Sequence, residues 1–312
     1  MSLSLGIDIG GTKIAAGVVD EDGKILAQNR RSTPARNPSA VVDAIVELAQ
    51  EFNDWSYDRI GIGVAGLVDV YRSRVIFAPN LGWADEKLKA AIEERTDRLT
   101  VVENDANAAA WGEFKFGAGR GSTDMVMVTV GTGIGGGIVL GGELQRGAHG
   151  MGAELGHLRL VRNGQFCGCG RTGCWEQYAS GNALVRTTRQ LAVKRRKEAN
   201  ILLSFGDGTP EGIRGRDITA AAKKGDPVAI DAFKEIGKWL GRGMAEVSAL
   251  LDPGCFIVGG GVIDAGDLLL EPAREVFGSE VVAREHHDVT SIIAAELGND
   301  AGIAGAADLA RH

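Results

Sequence analysis

Residues 5–13 read Leu5-Gly6-Ile7-Asp8-Ile9-Gly10-Gly11-Thr12-Lys13. Leu5 to Ile9 is a short strand that runs straight into a turn of two glycines and a threonine, and a second strand follows from Ile14 to Val19. Glycines at such a turn leave backbone N–H groups with no Cβ in front of them, which is the make-up of an anion cradle. The spacing is not that of a Walker A loop, and a strand, not a helix, comes next. Taken alone, the motif is explained equally well as an ordinary β-turn.

Outward from this stretch, an Asp20-Glu21-Asp22-Gly23 turn leads to a third strand, Lys24 to Asn29. A helix follows, with Asn37 as N-cap, Pro38 at its first position, and Val41, Val42, Ile45, Leu48 and Phe52 on its inner face. Ile60 to Val64 reads as a buried strand, Asp85 to Arg95 as an amphipathic helix, and Leu99 to Val102 as a strand, with another helix opening at Asp105. The first 115 residues therefore have the order βββαβαβα.

The pattern then starts again. Asp124 to Val130 is a strand, Gly131-Thr132-Gly133-Ile134-Gly135-Gly136-Gly137 a second glycine turn, and Ile138 to Leu140 a return strand. A long helix runs from Pro227, capped by Asp226, to Leu251. Cys255 to Val258 is a buried strand leading into a third turn, Gly259-Gly260-Gly261. Ser291 to Ala295 is a strand, and Ala301 to Ala310 a helix of small residues. Two halves that both begin strand, glycine turn, strand indicate an internal duplication. The expected fold is α/β, two duplicated βββαβαβα domains with an interdomain cleft. Residues 1–110 with 300–312 form the smaller domain, and 111–299 the larger. Three glycine turns at strand ends are most simply explained by one nucleotide gripped between the domains. Asp8, just ahead of the first turn, is placed to bind Mg²⁺ through water.

Composition narrows the function classes. The 312 residues carry 34 Lys plus Arg against 41 Asp plus Glu, a net charge of −7. Such a chain lacks the positive field that holds proteins on phosphate backbones or anionic lipid, so neither nucleic acid nor membrane is an expected partner. The basic run Lys194-Arg195-Arg196-Lys197 reads as the solvated face of a helix from Ala183 to Ala199. There are 46 glycines, about twice the usual share of roughly 7%. The uncharged stretch Met125 to Gly142 is long enough to span a bilayer, but its glycines and alternating valines read as a buried hairpin. The N-terminus meets Asp8 at once, without the basic region of a signal peptide, and a cytoplasmic location is expected.

Glu103-Asn104-Asp105 stands at a strand end and a helix start. Asp105 fits two roles, the N-cap of that helix or the base that takes a proton from a substrate hydroxyl during phosphoryl transfer. Asn104 offers a donor and an acceptor, which suits a sugar hydroxyl. His157, Cys167, Cys169 and Cys174 make a Cys₃His set for Zn²⁺ with no position left for water, and hence a structural site. Glu154 and Glu176 flank that set and are suited to vicinal hydroxyls. Cys255 stands alone and reads as core filling.

These residues resemble the ROK family of sugar kinases and repressors, within the actin, hexokinase and Hsp70 superfamily of RNase H-like folds, over essentially the whole chain. Asp8 to Lys13 is similar to the family's first phosphate motif and Gly131 to Gly137 to its second. Glu154-Leu155-Gly156-His157 matches E-x-G-H, and Cys167 to Glu176 matches C-x-C-G-x-x-G-C-x-E at every fixed position. The resemblance implies ATP-dependent phosphorylation of glucose at its 6-hydroxyl, with other hexoses (mannose, fructose, N-acetylmannosamine) or a sugar-responsive regulator as alternatives. It implies Asp105 as the base, and Gly66, Asn104, Glu154, His157 and Glu176 on the sugar. Asp8, Gly10, Gly11, Thr12, Lys13, Gly131, Thr132, Gly133, Gly259, Gly260 and Gly261 would hold ATP and Mg²⁺. Ala65 stands where the family often has proline, a departure in the loop that presents Gly66. The first phosphate motif begins so near the start that no DNA-binding helix-turn-helix is expected ahead of it. Family members are commonly homo-oligomers, dimers or tetramers.

Overall fold

The computed structural model describes residues 2–34, 36–286 and 288–312. In chain order the strands are β1 Leu3–Ile9, β2 Lys13–Val19, β3 Ile25–Ser32, β4 Tyr57–Val64, β5 Leu67–Val68, β6 Val75–Ala78, β7 Trp83–Glu86, β8 Leu99–Asn104, β9 Met125–Val130, β10 Ile134–Leu140, β11 Glu143–Leu144, β12 Cys255–Gly259 and β13 Ser291–Ala294. The helices are α1 Pro38–Glu51, α2 Leu88–Thr96, α3 Asp105–Phe116, α4 Glu176–Ala179, α5 Gly181–Lys194, α6 Asn200–Ser204, α7 Gly215–Lys223, α8 Pro227–Leu251, α9 Asp267–Glu280 and α10 Ala301–Leu309.

The duplication is visible in the strand orders. One five-stranded sheet runs β3-β2-β1-β4-β8 and the other β11-β10-β9-β12-β13. In both, the first three strands form a meander and the remaining two are added beyond the first strand. The neighbours β1–β4, β4–β8 and β12–β13 are parallel. The chain divides into two compact units, Met1–Met127 with Gly136–Ala153 and Ala295–His312, and Val128–Gly135 with Glu154–Ala294. Beside the division expected from sequence, the first unit also takes in residues 111–127, 136–153 and 295–299.

The first unit shows why its strands alternate as they do. Leu5, Ile7 and Ile9 of β1 and Ile60, Ile62 and Val64 of β4 are fully buried in one cluster with Ile45 and Leu48 of α1. Each such side chain contributes about 1.5–3 kcal/mol on leaving water. Gly6 and Gly61, which alternate with them, are glycine for a steric reason: a Cβ there would run into the backbone of α10 at Ile303 or Ala306. The helix thus lies directly on the sheet, and Gly112 and Gly305 let α3 and α10 cross just as closely.

Helix boundaries follow local chemistry. Asn37 accepts from the Ala40 N–H at 3.1 Å and Asp226 from those of Val228 and Ala229 at 3.0 Å, so both expected caps are in place. Two expectations need correction, and one sheet was not anticipated. The helix expected over 85–95 starts at Leu88, because residues 83–86 pair with β6 and bury Trp83. A three-stranded sheet, β5-β6-β7, was not legible in strands of two to four residues. The helix expected to reach Ala199 ends at Lys194, and beyond it Arg195 pairs with Glu198 and Asp231 at 2.6 Å. Among the described residues no helix is long and apolar enough to cross a membrane.

Candidate active site

In the first unit, the parallel register brings three strand ends level. Ile9 is opposite Val64, and Val64 is opposite Asn104. The Gly10-Gly11 turn, Gly66 and the start of α3 therefore emerge along one carboxyl edge, where open α/β sheets bind ligands. Asn104 is still extended, with φ −63° and ψ 142°, and its Oδ1 accepts from the Asn107 N–H at 3.0 Å. Asn104 is thus the N-cap, and the capping role entertained for Asp105 is ruled out: Asp105 is already the first helical residue. Its carboxylate accepts the Ala106 N–H at 2.9 Å. The Asn104 amide donates to the Gly66 carbonyl at 3.1 Å, so Gly66 orients Asn104.

Burial pushes the Asp105 carboxyl above the usual carboxylate range. Asp8 is pushed up to about 6, first by burial and then by the negative charge of Asp105, with Lys13 opposing. A buried carboxyl whose proton affinity is raised further by a neighbouring carboxylate is what a divalent cation relieves, and hard oxygen donors suit Mg²⁺. At the adjoining turn, the Gly10 N–H donates to the Lys13 carbonyl at 2.9 Å and the Thr33 hydroxyl to the Gly10 carbonyl at 2.7 Å. A Cβ on Gly10 or Gly11 would make only ordinary contacts of 3.5 Å or more, so packing within the fold does not demand glycine there.

In the second unit, the other two glycine turns meet. Gly260 has φ +87°, and a Cβ on it would lie 2.6–2.8 Å from the backbone of Val130, next to Gly131. A Cβ on Gly131 or Gly261 would meet nothing within 4 Å, so both face open space. The Gly131 carbonyl accepts the Gly181 N–H at 2.8 Å, which anchors the turn on the start of α5. Thr132 and Gly133 complete this turn, and Gly259 ends β12.

The ligand atoms of His157, Cys167, Cys169 and Cys174 all lie within 4.8 Å of one another. The Cys169 and Cys174 sulfurs are 3.6 Å apart, and Cys167 Sγ is 3.7 Å from His157 Nδ1. A tetrahedral Zn²⁺ with Zn–S bonds of about 2.3 Å requires sulfurs roughly 3.8 Å apart, so the set fits that ion. Burial pushes the Cys167 thiol up to about 12; at Cys169 burial acts the same way, but hydrogen bonds from Arg171 prevail and lower it to about 6.

The two nitrogens of His157 explain its double assignment. Nδ1 faces the thiols and is 4.0 Å from Glu176 Oε1, while Nε2 is 4.0 Å from Glu154 Oε2. One imidazole can then hold a metal through Nδ1, beside Glu176, and face Glu154 with Nε2. Glu176 Oε1 also accepts the Cys167 S–H at 3.0 Å. Sequence reasoning missed the environment of Glu103, a buried carboxylate at the end of β8 met by Arg72 and Arg146. Those arginines lie far off in the chain, and nothing local announces the pairing.

A duplicated sheet with a glycine turn after its first strand, and carboxyls at the edge of one copy, defines a protein of the actin and hexokinase superfamily. The chain belongs to the ROK family, whose sequence pattern matches residues 4–312. It is 52% identical over 313 residues to a glucokinase of Streptomyces coelicolor, covering 100% of this chain and 98% of that one. It is 31% identical to the xylose repressor of Bacillus subtilis, covering 90% of this chain and 70% of the repressor. The crystal structure of a ROK family glucokinase from Streptomyces griseus, in complex with glucose and AMPPNP, superposes with a TM-score of 0.91 at 50% identity and 99% coverage of each chain.

Proposed function

We propose that this protein is an ATP-dependent glucokinase that transfers the γ-phosphoryl group of ATP to the 6-hydroxyl of glucose. The observation that carries the residue roles is that Asn104, not Asp105, caps α3, which leaves the Asp105 carboxylate at the strand edge free of that duty. Likeness to glucokinases over the full chain supports the reaction.

In this reading the glucose O6 attacks the γ-phosphorus, the bond to the bridging oxygen breaks, and ADP leaves. Asp105 takes the O6 proton as the new bond forms; burial raises its proton affinity, which favours acceptance. Asn104, Glu154, His157 and Glu176 hold the sugar hydroxyls, and Gly66 does so indirectly by orienting Asn104. The turns at Gly10–Lys13, Gly131–Gly133 and Gly259–Gly261 offer backbone N–H groups to the phosphates. Asp8 would hold Mg²⁺, which supplies charge neutralisation at the phosphates. Zinc at His157, Cys167, Cys169 and Cys174 would be structural, fixing the segment that ends in Glu176. The reading includes a cytoplasmic location, where ATP and reduced thiols coexist, and assembly as a homo-oligomer.

The test is a coupled assay of the purified protein with Mg·ATP over glucose, mannose, fructose and N-acetylmannosamine. Glucose is expected to have the highest kcat/KM, with glucose 6-phosphate as product. Turnover of another hexose in its place would overturn the substrate assignment, and no turnover of any would overturn the reaction.

A further inference from the structure

We propose that Glu103 is the positioning residue for Asp105, with Arg146 and Arg72 holding its carboxylate in place. The proposal rests on the reading of Asp105 as the base.

Glu103 is 1% exposed. Its Oε1 accepts the backbone N–H of Asn104 at 2.9 Å and the side-chain amide of Asn107 at 3.1 Å. Its Oε2 lies 2.7 Å from Arg146 Nε and 3.3 Å from Arg72 Nε. Arg146 is itself fixed, its remaining nitrogens donating to the carbonyls of Val70 at 2.8 Å and Asp69 at 2.9 Å. Asn104 in turn caps α3 through the Asn107 N–H. Residues 103, 104 and 107 are therefore tied by hydrogen bonds on both sides of Asp105, through the 103–104 peptide before it and the helical turn after it.

Stability alone does not call for this arrangement. Replacing a buried ion cluster by apolar residues of similar volume is often neutral or favourable. What an apolar residue cannot do is accept an N–H from Asn104 and from Asn107 while facing two guanidiniums. An ionised carboxylate is acceptor-only: Oε1 accepts both N–H groups, while Oε2 faces the two guanidiniums as ion-pair partners. The charge at 103 is thus spent on the direction in which Asp105 leaves the strand.

Glu103→Gln keeps the shape but turns an amide NH₂ against either the Asn104 N–H or a guanidinium. Measured on protein shown to be folded by circular dichroism, kcat should fall about 10²-fold, the cost of misplacing a reacting group by roughly 1 Å. The glucose dissociation constant, by calorimetry, should stay within a few-fold of wild type. In an Asp105→Asn background the same change should cost almost nothing further, since the base it aims is gone. Unchanged kcat with only a lower Tm, or a full additional loss in that background, overturns the proposal. Should Glu103→Gln not fold, Glu103→Asp keeps the charge for the arginines but withdraws Oε1 from the Asn104 N–H. The same split is expected of it, and wild-type kcat overturns the proposal. Failure of the underlying reading shows separately, as an active Asp105→Asn single variant.

Discussion

A Cβ on Gly133 would stand 2.5 Å from Oε2 of Glu176. A side chain at this position of the second glycine turn would therefore have to displace a carboxylate assigned to the sugar. From sequence, the glycine was expected to clear space for a phosphate oxygen. The structure adds a second occupant.

Gly133→Ala should displace Glu176, and so raise the glucose dissociation constant by about tenfold, the effect of 1.4 kcal/mol. ADP binding should change much less, because the open faces of Gly131 and Gly261 are untouched. Calorimetric titration of glucose and ADP separately checks this. A loss confined to ADP would show that the phosphate alone dictates glycine here.

Asp105→Asn keeps the size and one acceptor but cannot take the proton from the glucose hydroxyl. kcat should fall on the order of 10²–10⁴-fold, the usual contribution of a general base. Because Asn104 supplies the helix cap, Tm should be unchanged or higher, the cost of burying a charge having been removed. Turnover within a few-fold of wild type would take Asp105 out of the mechanism.

Cys169→Ser removes one sulfur from a set whose spacing fits tetrahedral zinc. Metal analysis should find stoichiometric zinc in the wild type and a loss in the variant, with a lower Tm. Activity should fall through Glu176, whose carboxylate touches Cys167. Active wild-type protein free of zinc would end the assignment.

Asp8 sets a pH dependence of stability. Its carboxyl goes from a usual value of 3.8 to about 6 in the folded protein. Between those values the native state holds a proton that the unfolded chain has released, so this group lowers stability as pH rises from about 4 to about 6. Above about 6 the full penalty, roughly 2–3 kcal/mol, is present. Asp8→Asn should therefore raise the Tm of the metal-free protein at pH 7–8 and leave it nearly unchanged at pH 4. An equal shift at both pH values would show that Asp8 is not held at a raised proton affinity. The same variant should weaken Mg·ATP use.

Much of the fold was legible because its signals are local. Asn37-Pro38 and Asp226-Pro227 carry their own caps, and the glycine turns after β1, β9 and β12 mark where strands end. The Cys₃His set is likewise written in its spacing. The chain misled where a short segment had two local options. Residues 83–86 are polar enough to begin a helix, yet Trp83 gains more by burial against β6 than a helical turn would give.

What the sequence determined by itself was the duplication, the three turns and the kinds of residue available for chemistry. Which of two adjacent residues does what was decided only by tertiary structure. Asn104 caps the helix and Asp105 does not, because the register of β1, β4 and β8 ends the strand at Asn104. Gly6 and Gly61 are glycine because α10, from the far end of the chain, lies on them. Glu103 bears a buried charge because Arg72 and Arg146 converge on it. Backbone caps and turns depend on neighbours a few residues away, which a sequence displays. Ion pairs and close packing depend on which distant segments meet, and only the folded chain brings those together.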